Sequence, residues 1–112
     1  MRRILLSVAL MAAPYVHGLH AHNWRQLVLS YPHWDKPLMF RVAWCESRDD
    51  PTAINPQPVQ LANGAWVHAR GIFQVLGGSL NAMENTREAH ALWVRYGLHP
   101  WVASSTCWGA YA

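Results

Sequence analysis

A mainly α-helical domain with a small β-hairpin and one disulfide is the fold class this sequence predicts. Three observations point there. Apolar residues recur at helical spacing over residues 38–45 and again over 89–96. An Asn63-Gly64 pair divides two short runs that read as strands. Two cysteines, Cys45 and Cys107, stand far apart in a chain of 112 residues, a length that suits about one domain. Charged residues make up 13 % of the chain against about 25 % in an average protein. With seven tryptophans as well, such a chain can bury apolar surface, which excludes intrinsic disorder. Glu, Lys and Leu are too few for a heptad coiled coil.

Residues 1–21 read as a secretory signal peptide, and residues 22–112 as the mature domain. Arg2-Arg3 supply the positive start, and Ile4 to Ala13 is an apolar run of about ten residues, short of the roughly 20 that span a bilayer. Pro14 breaks the run. Val16-His17-Gly18 offers one cleavage point and Ala21 another. An uncleaved anchor and a buried helix are the other readings of this segment. Processing would leave seven basic residues against six acidic ones, which is no surface for tracking phosphates, so no nucleic-acid partner and no stable membrane span are expected. Export suits a Cys45–Cys107 disulfide. Two buried free thiols are the alternative.

Along the mature chain, Trp24, Leu27 and Val28 share one face of a short helix that Tyr31-Pro32 ends. Asp35 and Pro37 open a helix of about 11 residues, with Leu38, Val42 and Cys45 on its stripe and Asp50-Pro51 beyond its end. A proline-rich loop covers 51–58. Val59–Ala62 and Ala65–His68 form the expected ribbon, with Asn63-Gly64 as a type I′ turn. Asn85-Thr86 is the expected start of the last long helix, with Glu88 completing a capping box. Its stripe is Ala89, Leu92, Trp93 and Tyr96, and Gly97 stops it.

Among the six acidic residues Glu46 stands out. At helical spacing it follows Ala43, Val42 and Met39, an apolar face that would desolvate the carboxyl and raise its pKa. The negative end of the helix dipole acts in the same direction. A carboxyl that keeps its proton near neutrality is what a general acid requires. The bland alternative is an exposed charge paired with Arg41, Arg48 or Arg70.

Several segments fall in the order of a known pattern: Cys45-Glu46-Ser47-Arg48, Ala53-Ile54-Asn55, Arg70-Gly71-Ile72-Phe73-Gln74-Val75, Asn85 with Ala89, Trp93 and Gly97, then Trp101 and Cys107-Trp108. Over residues 36–108 the chain resembles the transglycosylase SLT-like muralytic domains of the lysozyme-like superfamily, which are of bacterial and phage origin. Where many of those domains carry Gly-Ala-Xaa-Gly-Leu-Met-Gln, this chain has Ala69-Arg70 before Gly71-Ile72-Phe73-Gln74. The resemblance implies a lysozyme-like fold with a cleft between the Glu46 helix and Gly71–Val75. It casts Glu46 as catalytic acid/base, Ser47 as its substrate-side neighbour and Gln74 as a residue lining the sugar cleft. Asn85 is a further candidate, with an N-cap role as its plainer reading. Trp66 and Trp101 would either stack on sugar faces or pack in the core.

The expected function is cleavage of the MurNAc–GlcNAc β-1,4 bond of peptidoglycan. Asp35, Asp49, Asp50, Glu84 and Glu88 are all poorly placed as the second carboxylate of a two-carboxylate glycosidase. Single-acid chemistry giving 1,6-anhydro-muramic ends, the lytic transglycosylase reaction, is what the resemblance then implies. A hydrolytic lysozyme and a non-catalytic wall-binding module are the alternatives. No phosphate loop, HExxH or Gly-x-Ser-x-Gly is present, and neither cofactor nor metal is expected. The partner would be peptidoglycan glycan strands, with cell-envelope or phage machinery around them. The location would be secreted, periplasmic or in the envelope.

Overall fold

A computed structural model describes residues 23–109; the expected signal peptide, residues 1–21, lies outside them. The domain is α-rich, with two small antiparallel hairpins and one disulfide. Helix α1 covers the described residues 23–30 and buries Trp24 and Val28 one turn apart. Trp34 folds back on its end, its indole N–H donating to the Val28 carbonyl at 3.0 Å.

Helix α2, Lys36–Ser47, begins where the sequence predicts. The Asp35 carboxylate accepts from the Leu38 amide at 3.0 Å, and Pro37 sits in the first turn, where no amide is needed. Leu38, Met39, Val42 and Ala43 form its buried face. It ends because Arg48 turns left-handed (φ +56°) and its amide donates back to the Trp44 carbonyl.

The first hairpin pairs β1 (Val59–Gln60) with β2 (Trp66–Val67), Val59 opposite Val67 and Gln60 opposite Trp66. It is shorter than expected, and its turn is of another type. A type I′ turn needs positive φ at both Asn63 and Gly64, and only Gly64 has it, at +90°. The Asn63 side chain instead accepts from the Ala65 amide (2.9 Å), while Gly64 donates to the Leu61 carbonyl and Leu61 to that of Ala65. This is the longer loop with a left-handed glycine after a tight turn. A second hairpin, absent from the sequence reading, pairs β3 (Ala69–Arg70) with β4 (Val75–Leu76). The turn between them, residues 71–74, carries Ile72 and Phe73 into the core with no exposed surface.

Helix α3 is Ala82–Tyr96, one turn longer at its start than expected. Asn-x-x-Glu occurs twice in succession, at 81–84 and 85–88, and the helix uses the earlier copy: the Asn81 side chain accepts from the Glu84 amide at 2.9 Å. Asn85 is therefore no cap. Ala89 is buried and Leu92 and Trp93 pack on the core, whereas Tyr96, expected on the same stripe, is exposed on the last turn. Gly97 (φ +62°) ends α3 as predicted. A 3-10 segment, His99–Ser104, and the short α4, Ser105–Trp108, bring Trp101 and Trp108 into the core. The Cys45–Cys107 disulfide, across a separation of 62 residues, fastens α4 to α2. Among the described residues, no helix is long and apolar enough to cross a membrane.

Candidate active site

Glu46 occupies the last turn of α2, between Cys45, which the disulfide holds, and Ser47. The residues one and two turns before it on its own face, Ala43, Val42 and Met39, are all buried. The carboxyl itself is half-buried, and that burial raises its pKa above the ordinary value for a glutamate; a hydrogen bond donated by the Ser104 hydroxyl to Oε2 offsets part of the rise. No ion pair with Arg41, Arg48 or Arg70 holds it as an ordinary surface charge among the described residues.

The other five carboxylates are committed elsewhere. Asp35 caps α2. Asp49 pairs with Arg25 at 3.0 Å. Asp50 accepts from the Thr52 amide and hydroxyl, which hold its carboxyl below the usual range. Glu84 pairs with Arg87 on the same helix. Glu88 accepts from the Ser79 amide at 2.9 Å rather than capping a helix. Among the described residues, Glu46 alone of the six has neither a backbone group nor a cation as partner.

The remaining candidates converge on the 71–74 turn, and they do so as its clamps. The Ser47 hydroxyl, one residue from Glu46, donates to the Ile72 carbonyl at 2.8 Å. Asn85, fully buried inside α3, accepts from the Phe73 amide (2.8 Å) and donates to the Arg70 and Ser79 carbonyls. The Trp101 indole donates to the Phe73 carbonyl at 2.8 Å. Gln74, itself left-handed (φ +50°), donates from its amide to the Gly71 and Ala53 carbonyls. Trp101 is 2 % exposed and packs in the core. Trp66 is the reverse. It stands 63 % exposed on β2, outside this network.

A cavity of about 260 Å³ lies beside the turn, walled by Gln74, Leu76, Leu92, Tyr96, His99 and Trp101 among others. A second, of about 450 Å³, shares Leu76, Leu92 and Tyr96 and adds Glu88 and Arg95. Glu46 lines neither of them. Its link to the first cavity runs through Ser104, whose hydroxyl also lies 3.1 Å from the carbonyl of the cavity-lining Trp101. Among the described residues, the Glu46 carboxyl and the first cavity are thus neighbours, joined through Ser104 and Trp101.

Ser104 has no counterpart in the sequence reading, because it is 58 residues from Glu46. One signal could have found it. If Cys107 bonds Cys45, the residue one helical turn before Cys107 comes beside the residue after Cys45.

No protein-family model, curated protein or solved structure matches this chain. Among the described residues no group of three or more His, Cys, Asp or Glu side chains is arranged to hold a metal ion.

Proposed function

We propose that this protein is a peptidoglycan-cleaving glycosidase of the single-carboxylate kind, with Glu46 as its acid/base, and that it acts outside the cytoplasm. The observation that carries this reading is a half-buried glutamate whose pKa burial raises and which, alone among the six carboxyl groups, is tied to no backbone group or cation among the described residues. The ordered resemblance of residues 36–108 to muralytic domains supplies the substrate class.

In this mechanism the Glu46 carboxylic acid gives its proton to the oxygen bridging MurNAc and GlcNAc. The bond from C1 of MurNAc to that oxygen breaks, and GlcNAc leaves with a new hydroxyl. The resulting carboxylate then takes the proton from the 6-hydroxyl of the same MurNAc while its oxygen bonds to C1. Glu46 ends protonated, and the product carries a 1,6-anhydro ring. With every other carboxylate engaged, no second carboxylate is left to activate a water on the opposite face. That favours the internal 6-hydroxyl over hydrolysis, and so a lytic transglycosylase over a lysozyme.

Digestion of purified sacculi tests the reading. The wild-type protein should release soluble muropeptides whose ends are lighter by one water than hydrolysed reducing ends, and Glu46→Gln should release none while melting no lower than wild type. Reducing ends would assign a hydrolase. Full release by Glu46→Gln would overturn the role of Glu46. The exposure of Trp66 favours one further reading, a wall-binding module that uses this indole as a platform for sugar C–H faces; tight binding to sacculi without any release would select it.

A further inference from the structure

Ser104 touches three groups, and their chemistry is unusually well matched. Its Oγ lies against Glu46 Oε2, 3.1 Å from the Trp101 carbonyl and 3.1 Å from the Trp108 indole nitrogen. A hydroxyl has one proton to give and two lone pairs to receive with. When Glu46 is ionised, Ser104 donates to Oε2 and accepts from the Trp108 N–H. When Glu46 is protonated, Oε2–H donates to Ser104, Trp108 still donates to it, and the serine proton turns to the Trp101 carbonyl. Oε2, the serine hydroxyl and the indole N–H, which also lies 3.2 Å from the Trp101 carbonyl, keep a partner in both states, and only one O–H bond rotates. An amide N–H in that position could never accept the acid's proton, and a carbonyl could never donate to the carboxylate.

We infer that Ser104 is the positioning residue of Glu46, a hydroxyl that changes from donor to acceptor and so keeps the carboxyl aimed through both halves of its proton cycle. This deepens the glycosidase reading and rests on it for the catalytic consequence. The disulfide gives the pair its geometry: Cys45 precedes Glu46, Cys107 follows Ser104 by three residues, and their bond sets the two segments side by side. Charges play little part. The packed 3-10 segment brings only His99, and α4 brings no titratable side chain except the bonded Cys107. Lys36 and Arg41 on α2, and Arg48 and Asp49 beyond it, are not among the causes of the Glu46 shift, which are burial and Ser104 alone.

The test is a carboxyl titration by NMR. The chain has three glutamates, so protein labelled with ¹³C at the glutamate carboxyls gives three signals, and Glu46→Gln identifies the one at 46. In wild type the Trp108 indole N–H, assigned with Trp108→Phe, should shift with the same midpoint as Glu46, because both bond the same oxygen. In Ser104→Ala, which removes the donor that favours the ionised form, the Glu46 midpoint should move to higher pH, and Ser104→Thr should bring it back. On sacculi, kcat of Ser104→Ala should fall about tenfold to a hundredfold with KM nearly unchanged, since a misaimed acid loses orientation rather than affinity. An indole signal that ignores Glu46, or a Glu46 midpoint unmoved in folded Ser104→Ala, overturns the assignment. The indole measurement needs no variant at Ser104 and therefore stands even where that variant fails to fold. Coupled midpoints in a wild-type protein that releases no muropeptides would sink the glycosidase reading and leave the proton partnership in place.

Discussion

Opening the Cys45–Cys107 bridge should cost this domain more than any single side-chain deletion on its surface, and the size of the loss follows from the span it closes. The bonded residues are separated by 62 positions. In the chain-entropy description, a crosslink over that span removes about 14 cal/mol/K from the unfolded chain, which is about 4 kcal/mol of stability at 25 °C. A domain of about 90 residues unfolds with an entropy near 0.19 kcal/mol/K at its midpoint, so the same loss lowers Tm by about 20 °C. Total stability for such domains runs from about 5 to 15 kcal/mol, so the loss is between about a quarter and four-fifths of the whole. The assay is a pair of thermal melts, oxidised and fully reduced, with the free thiols counted by mass after alkylation. Cys45→Ser with Cys107→Ser gives the same comparison without reductant. A fall of less than about 5 °C, with two free thiols confirmed, would refute the premise that this bond restrains the unfolded chain.

Three further perturbations probe the groups around the site. Asn85→Ala strips partners from the Phe73 amide and from the Arg70 and Ser79 carbonyls, each costing about 1–3 kcal/mol where buried, so urea denaturation should show a loss of at least about 3 kcal/mol; a loss below 1 would mean the clamp is dispensable. Gly71→Ala and Gly64→Ala form a contrast, because both glycines have φ near +85°, but a Cβ at 71 would meet Asn85 Nδ2 at 2.4 Å and the Ser79 carbonyl at 2.6 Å, while one at 64 meets nothing within 4 Å. Gly64→Ala should cost the backbone strain alone, about 1–2 kcal/mol, and Gly71→Ala clearly more; equal midpoints would contradict the packing described. For Glu46, a folded pKa raised above the unfolded one means that the folded state holds the proton where the unfolded chain has released it. The penalty is absent below the unfolded value, grows as pH rises from there to the folded value, and is constant above it. Glu46→Gln removes it, so the variant should gain stability relative to wild type as pH rises from 4 to 8; a constant difference across that range would show a carboxyl with no shift.

Which parts of this domain could be read from its residues depends on where each residue's partner lies. The start of α2 was legible because Asp35 caps an amide three residues away, and its stop and that of α3 because Arg48-Asp49-Asp50-Pro51 and Gly97 act locally. The apolar setting of Glu46 was legible for the same reason, since Ala43, Val42 and Met39 belong to its own helix. The start of α3 was misread although its signal was local, because Asn-x-x-Glu occurs twice and only the packing of Asn85 decides between the copies. The second hairpin escaped because two-residue strands leave no alternating pattern to detect.

The polar candidates were harder for a different reason. A polar side chain that grips a sugar and one that grips a buried carbonyl are the same residue type, and Ser47, Gln74, Asn85 and Trp101 all hold main-chain atoms of residues 71–74 or next to them. Those partners are backbone groups common to every residue, so no side chain in the sequence signals them. The turn needs such clamps because it drives Ile72 and Phe73 into the core and carries its own amides and carbonyls inside with them. Once that demand is met, these four side chains are accounted for by fixed backbone partners. Glu46 differs from them, because its partner is a hydroxyl, which can donate to the carboxylate and accept from the acid. On the proposed reading that is the property it needs, since an acid/base must lose a proton and recover it in each turnover.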